Sequence, residues 1–380
     1  MKQHREMAAR CGDAILPVLL LLEEKLYRLY MCLTAYDSNG SLGMGAPQNC
    51  PCKEAVIAVF LRGQKKWRSD MEEKMAKRML DASASELASY GKEELLESIA
   101  KSEGRILAAE CIGVTMPLLA DVTNAEFVAA MGADLVLLNM FDVKKPVIQG
   151  LPAVPAAETI RLLKHLTGRV IGLNLEPVED AAENEGTLWE MSEGRKATAE
   201  NALLARDMGA DLILLTGNPG NGVSNRAITD SLRMLKGAVG KDVILAAGKM
   251  HASGILKEAG EAIITRSDVE EFVQAGADIL LFPAPGTVPG ITVEYIKDLV
   301  SFAHSLGAMT VTSIGTSQEG ADVHSIRQIA LWCKMTGTDI HHIGDTGYPG
   351  MALPENIQAY SVAIRGVRHT YRRMASSVNR

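Results

Sequence analysis

The sequence predicts an α/β protein: a (β/α)8 TIM barrel with an N-terminal helical extension. Three observations carry this. A phrase of glycine, a small residue, aspartate and a short apolar run recurs four times, at Gly132-Ala133-Asp134, Gly209-Ala210-Asp211, Gly276-Ala277-Asp278 and Gly337-Thr338-Asp339. A second set of apolar runs, opened by Gly104, Gly168, Gly240 and Gly307, interleaves strictly with the first and brings the expected strands to eight. Between the runs apolar residues return at helical spacing, as at Ile296, Leu299, Val300 and Ala303.

In chain order, residues 1–74 read as a loosely ordered extension with one amphipathic helix around Leu16 to Leu33. The codons for Met71-Glu72-Glu73-Lys74 must be purine-rich just ahead of Met75, which predicts that translation starts natively at Met75 and that residues 1–74 are leader. Residues 75–103 form a helical lead-in, with Met79 to Ser102 as one or two helices that plug the barrel bottom or pack on its side. Residues 104–380 form the barrel. Thr123 to Glu126 and Ser267 to Glu270 have capping-box spacing, and each repeated glycine suits the left-handed end of a helix. Continuous apolar runs such as Leu212 to Leu215 fit parallel strands covered on both faces and joined by right-handed crossovers. An open doubly wound sheet would be expected to show a nucleotide loop. No Gly-x-Gly-x-x-Gly opens a helix, and Gly91-Lys92, Gly240-Lys241 and Gly248-Lys249 lack the Ser/Thr of a P-loop.

Composition narrows the function classes. With 380 residues, 47% hydrophobic and 22% charged, the chain has globular composition. Its apolar runs fall short of the roughly 18–20 residues a membrane helix needs. Net charge is −7, and the chain after residue 74 carries 28 basic and 37 acidic residues, which disfavours a nucleic-acid backbone. The six cysteines follow no disulfide or zinc spacing, so a cytoplasmic setting is expected. The expected partner is a small phosphorylated substrate, with neither nucleic acid nor membrane, and a homo-oligomer is left open.

Barrel geometry sorts the polar residues. Asp134, Asp211, Asp278 and Asp339 start strands, so they lie at the bottom and serve turns and stability. Strand ends gather Glu110, Asn139, Asp142, Asn174, Glu176, Thr216, Asn218, Lys249, His251, Ser313, Thr316, His342 and Asp345 at the catalytic rim. Lys249 is expected to form a Schiff base or to clamp an anion. Glu110 and Glu176 are candidate acid/base groups, with His251 and His342 as proton carriers. Glu110, Asp142, Glu176 and His342 also offer a ligand set for Mg2+, Mn2+ or Zn2+, or hydrogen-bonded carboxylates that orient a substrate. His341 and His342 share a strand and point to opposite faces, which makes His341 structural.

The glycine-rich loops Ser313 to Gly320 and Gly344 to Gly350 predict a phosphate cradle built on Ser313, Gly315, Thr316, Gly344 and Gly347. Asn139, Asn174 and Asn218 are expected on the rest of the substrate. Glu319 and Asp345 would repel a phosphate if they faced it. Asp142 to Ala157 and Pro177 to Lys196 are long enough to act as lids or to make an oligomer contact.

The region from Met79 to Arg380, with eight strands and the loops at Gly315 and Gly347, resembles the aldolase-type TIM barrels that handle phosphorylated sugars and keto acids. It is also similar to a bacterial barrel family found near sugar phosphotransferase systems and sometimes labelled haloacid-dehalogenase-like hydrolase. Strand 1 ends Ala109-Glu110-Cys111-Ile112-Gly113, without the Asp-x-Asp nucleophile loop that label would require. In many aldolases of this type the reactive lysine sits on strand 6, whereas Lys249 follows strand 5. The resemblance implies a lyase or isomerase acting on a small phosphorylated carbohydrate-like carbonyl compound. The alternatives are a metal-dependent hydrolase using Glu110, Asp142, Glu176 and His342, and a non-catalytic sugar-phosphate sensor.

Overall fold

The structure, a computed structural model, describes residues 76–178, 191–217, 223–252 and 259–380. The expectations for residues 1–74, for Asn218 and for most of the acidic lid lie outside the described residues. Eight parallel strands close into a barrel: β1 (Ile106–Ile112), β2 (Leu135–Asn139), β3 (Val170–Leu175), β4 (Leu212–Leu215), β5 (Ile244–Gly248), β6 (Ile279–Pro283), β7 (Met309–Ile314) and β8 (Ile340–Ile343). β8 pairs with β1 through Ile340 and Ile106, which removes every sheet edge.

Around the barrel run α3 (Asn124–Ala130), α4 (Thr159–Thr167), α5 (Ala199–Met208), α6 (Asn225–Val239), α7 (Arg266–Ala275), α8 (Val293–Ser305), α9 (Val323–Thr336) and α10 (Pro354–Ala375), preceded by α1 (Ala84–Ser89) and α2 (Lys92–Ala100). Among the described residues, no helix is long and apolar enough to cross a membrane.

Strand alternation builds two cores. Outward residues such as Leu107, Val136, Ile213 and Leu245 pack under the helices. Inward residues such as Ile106, Leu135, Val170, Leu212, Ile244, Ile279 and Val311 fill the barrel. The lead-in belongs to this inner core: Met79, Leu80, Leu87, Leu95 and Ile99 pack with the inward strand residues, so this segment plugs the bottom. Each such side chain contributes roughly 1.5–3 kcal/mol on burial.

The four recurring aspartates share one task at the bottom rim. Asp134, Asp211, Asp278 and Asp339 accept the N–H of Leu107, Ile171, Leu245 and Thr310 at 2.8–3.0 Å, so each ties the start of an even strand to the odd strand before it. Each also has a basic side chain: Arg365 and Arg373 (2.7 Å) on Asp134, Lys164 (2.7 Å) on Asp211, Lys92 (2.6 Å) on Asp278 and His304 (2.8 Å) on Asp339. Burial works to raise the Asp134 pKa, but Arg365 and Arg373 overcome it and hold the carboxyl below its ordinary range.

Local signals mostly match these elements. Thr123 and Glu126 form the expected capping box. The α7 box is instead Thr265 with Asp268, where the sequence suggests Ser267 with Glu270. Two Ser/Thr-x-x-acid frames overlap there, and the earlier one is held by Tyr295, whose hydroxyl donates to the Ile264 carbonyl at 2.9 Å. Gly240 departs from its set with φ −64°. Gly366 has φ +74° and breaks α10 at a kink, which aligns Arg365 and Arg373 on one aspartate.

Candidate active site

A cavity of about 300 Å³ opens at the C-terminal ends of the strands, as the barrel architecture requires. Its floor is set by strand parity. Glu110 continues the inward series Ile106, Ala108 on β1, Asn139 ends the series Leu135, Leu137 on β2, and Asn174 ends Val170, Gly172 on β3. All three line the cavity, with Glu176, Thr216, His251, Gly315, Thr316, Gly344 and Gly347. Arg195, Glu319, Asp345, Met140 and Met250 line it too.

One wall is acidic. Glu110 is 8% exposed, and no described donor bonds its carboxyl. Burial, reinforced by Asp345 and Glu319, pushes its pKa well above the carboxylate range and so favours the protonated form. Gly344 explains the crowding: a Cβ there would lie 3.4 Å from the Glu319 carboxyl carbon and 3.6 Å from Glu110 Oε2. Burial and Asp345 also raise the Glu319 pKa. Asp345 accepts from Asn139 Nδ2 at 2.8 Å and from the Gly347 N–H at 2.7 Å.

Behind Glu110 stands His342, on the inward face of β8. Its Nε2 is 3.7 Å from Glu110 Oε2, and its Nδ1 is 2.6 Å from Ser313 Oγ, which in turn contacts Met250 Sδ at 3.3 Å. Burial lowers the His342 pKa to about 4, so the ring is neutral. His342 and Ser313 therefore lie beneath the cavity floor, and His342 borders an interior void of about 20 Å³. His341 faces outward, between Tyr360 and the Gly104 carbonyl.

The opposite wall is an ion pair. Arg195 Nε and Nη2 both reach Glu176 Oε1, the Nε bond at 3.1 Å, and the backbone pairs Glu176 N–H with Arg195 O at 2.8 Å. Asp142 does not line the cavity. Its Oδ1 accepts from the Lys144 and Lys145 N–H groups at 2.8 and 2.9 Å, and the Ser192 hydroxyl donates to its carboxyl. Gly194 lies flat against it, where any Cβ would collide with Asp142 Oδ1. The two expected lids are thus tied together at their bases, and Asp142 holds the turn that delivers Arg195.

Several expectations change here. The four-residue metal set is not assembled, because Asp142 is spent on its loop, Glu176 on Arg195, and His342 lies below the floor. Among the described residues no three acids, histidines or cysteines are placed to hold one ion. Lys249 is 2% exposed and does not line the cavity. The inward series on this strand is Ile244, Ala246, Gly248, Met250, which leaves Lys249 on the other parity. Gly248 lets β5 approach β6 closely, since a Cβ there would sit 2.1 Å from the Leu281 carbonyl oxygen. His251 does line the cavity, and burial together with Lys249 lowers its pKa.

The glycine loops also differ from a phosphate cradle. The Gly315 N–H donates to Thr287 Oγ1 at 3.2 Å and the Gly344 N–H to the Ile314 carbonyl at 2.9 Å. The Thr346 N–H is taken by Glu319 Oε1 at 3.1 Å and the Gly347 N–H by Asp345 Oδ1. Thr316 directs its hydroxyl to the Thr287 carbonyl at 3.0 Å. These loops present carboxylates where free donors are expected. Arg195 was missed in the sequence because it sits in a loop without a local motif. Glu319 had only its charge as a signal.

No curated protein matches in sequence. Among solved structures, the chain is similar to an archaeal fructose 1,6-bisphosphate aldolase, at 14% identity over 69% of this chain and 94% of that one, with a TM-score of 0.45. A second archaeal fructose-1,6-bisphosphate aldolase, with its catalytic Lys covalently bound to the carbinolamine intermediate, gives 14% identity, 70% and 96% coverage and a TM-score of 0.44. A thiamine phosphate pyrophosphorylase from Pyrococcus furiosus gives 12% identity, 69% and 96% coverage and a TM-score of 0.40. The family described as "Domain of unknown function (DUF7916)" matches residues 80–380, most of the lead-in and the whole barrel, and the chain belongs to it.

Proposed function

We propose that this protein is an acid–base lyase or isomerase that acts on a small carbohydrate-like carbonyl compound at the C-terminal rim. The observation that carries the reading is Glu110: a carboxyl at the cavity floor, without a described hydrogen-bond donor, whose protonated form burial and its acidic neighbours favour. Such a group is ready to give its proton to a carbonyl oxygen as negative charge develops there. A second carboxyl of the same wall, Glu319 or Asp345, takes the proton from the adjacent carbon or hydroxyl. Returning that proton to the neighbouring carbon gives isomerisation; taking it from a hydroxyl lets the carbon–carbon bond break. His342 stands behind Glu110 as a positioning residue, and the Glu176–Arg195 pair fixes the far side of the substrate. Any phosphate on the substrate then belongs near Arg195 and His251, away from the loops after β7 and β8.

The test is proton exchange in D2O with a set of aldoses, ketoses and their phosphates, followed by NMR at the carbon next to the carbonyl. The expected outcome is deuterium incorporation with at least one compound, lowered about 10²–10⁴-fold in Glu110→Gln. Absence of exchange across the set, together with a hydrolytic activity abolished by chelator, would overturn this reading in favour of a metal-dependent hydrolase.

A further inference from the structure

Resting on the acid–base reading of this cavity, we propose that the substrate carries a primary amine, whose ammonium group sits against Glu319 and Asp345, as in an amino sugar. The cavity has acceptors in excess of donors. Asn139 fixes the orientation of its neighbour: its Nδ2 serves Asp345 and its Oδ1 accepts the Met140 N–H at 2.8 Å, so the atom that Asn174 turns toward that Oδ1, at 3.5 Å, is Nδ2. Asn174 Oδ1 is therefore the group left over, buried, without a partner and on a side chain only 8% exposed. Glu319 Oε2 is a second such acceptor, on a side chain 5% exposed.

Charge points the same way. The Arg195 guanidinium is committed to Glu176, and the Thr346 and Gly347 N–H groups to the acids themselves. A phosphate placed there would face three carboxyls. A neutral polyol supplies donors but leaves those carboxyls facing one another. An ammonium brings three donors and a positive charge on one atom. A divalent cation would need oxygens converging to about 2.0–2.6 Å, an arrangement that no three acids among the described residues offer. Ammonium contacts of about 2.7–3.2 Å accept a wider spacing. The substrate's hydroxyls then serve Asn174 Oδ1.

Thermal-shift and calorimetric binding on the full chain test this with glucosamine, galactosamine, serinol, glucose, N-acetylglucosamine and glucose 6-phosphate. At least one free amine is expected to raise the melting temperature and to bind about tenfold or more tightly than its neutral or acetylated counterpart. The preference is expected to collapse in both Glu319→Gln and Asp345→Asn, with folding of each variant checked by circular dichroism. If glucose or glucose 6-phosphate binds as well as the amines, the amine is overturned while the acid–base reading survives on its exchange assay. No binding by any of the three amines also overturns it.

Discussion

The two rims of this barrel use the same residue types to opposite ends. At the bottom, Asp134 accepts the Leu107 N–H and faces Arg365 and Arg373, and each of its three counterparts has a backbone N–H and a basic side chain. At the top, Glu110, Glu319 and Asp345 are gathered around Gly344, and none of the three has an ion pair with a described lysine or arginine. At Asp134 the two guanidinium groups outweigh the cost of burying the charge. At the other end burial and mutual repulsion among the carboxyls outweigh their donors and raise the pKa values of Glu110 and Glu319. Carboxylate count alone does not separate the two rims; what faces each carboxylate, a basic side chain or another acid, does.

The largest effect is expected at Asp134. Asp134→Asn leaves two buried guanidinium groups without their counter-ion, and chemical denaturation is expected to show a loss of about 3–5 kcal/mol. Substrate binding by the surviving folded fraction should be unchanged, because the rims lie at opposite ends of the strands. A loss below about 1 kcal/mol would mean that the bottom rim is not where stability resides.

The opposite sign is expected at the top. The Glu110 pKa is raised in the folded state, so its contribution is fully present below the ordinary carboxylate value and is lost as pH rises through the folded value. Glu110→Gln should therefore stabilise the protein at pH 8, on the order of 1 kcal/mol, and have little effect near pH 4. The Asp134 pKa is lowered, so its contribution is present above the ordinary value and fades as pH falls. Across pH 4–8 the melting temperature of Glu110→Gln should rise relative to the parent protein, while that of Asp134→Asn should stay lowered by a nearly constant amount. The smallest effect is expected where the bottom rim meets solvent: His304 is 42% exposed at its side chain, and His304→Gln should cost no more than about 1 kcal/mol by the same denaturation measurement.

What the sequence made legible follows the strands. The repeated Gly-x-Asp phrase located the even strands and the bottom aspartates. Period-two alternation is enough to put Glu110, Asn139 and Asn174 inside the barrel, because nothing but the pleat decides their direction. Loops resisted the same treatment. Asp142 read as a rim ligand, yet its side chain caps its own turn, and Arg195 reaches the cavity only because Gly194 fits against that aspartate. Glycine at 315, 344 and 347 suggested exposed N–H groups, but the acids of the same loops and Thr287 occupy those at 315, 346 and 347, and the Ile314 carbonyl takes the Gly344 N–H. Lys249 lies one residue past its strand, and the sequence does not say where β5 stops.

The clasp on Asp134 has a consequence for biosynthesis. The aspartate is made with the first two strands, but its partners Arg365 and Arg373 come from the last helix, more than two hundred residues later. A nascent chain holding β1, β2 and the bottom plug has a carboxylate committed to the interior and nothing to neutralise it. The bottom of β2 gains this counter-charge only when the last helix docks, so one of the earliest strands and the latest helix complete one another.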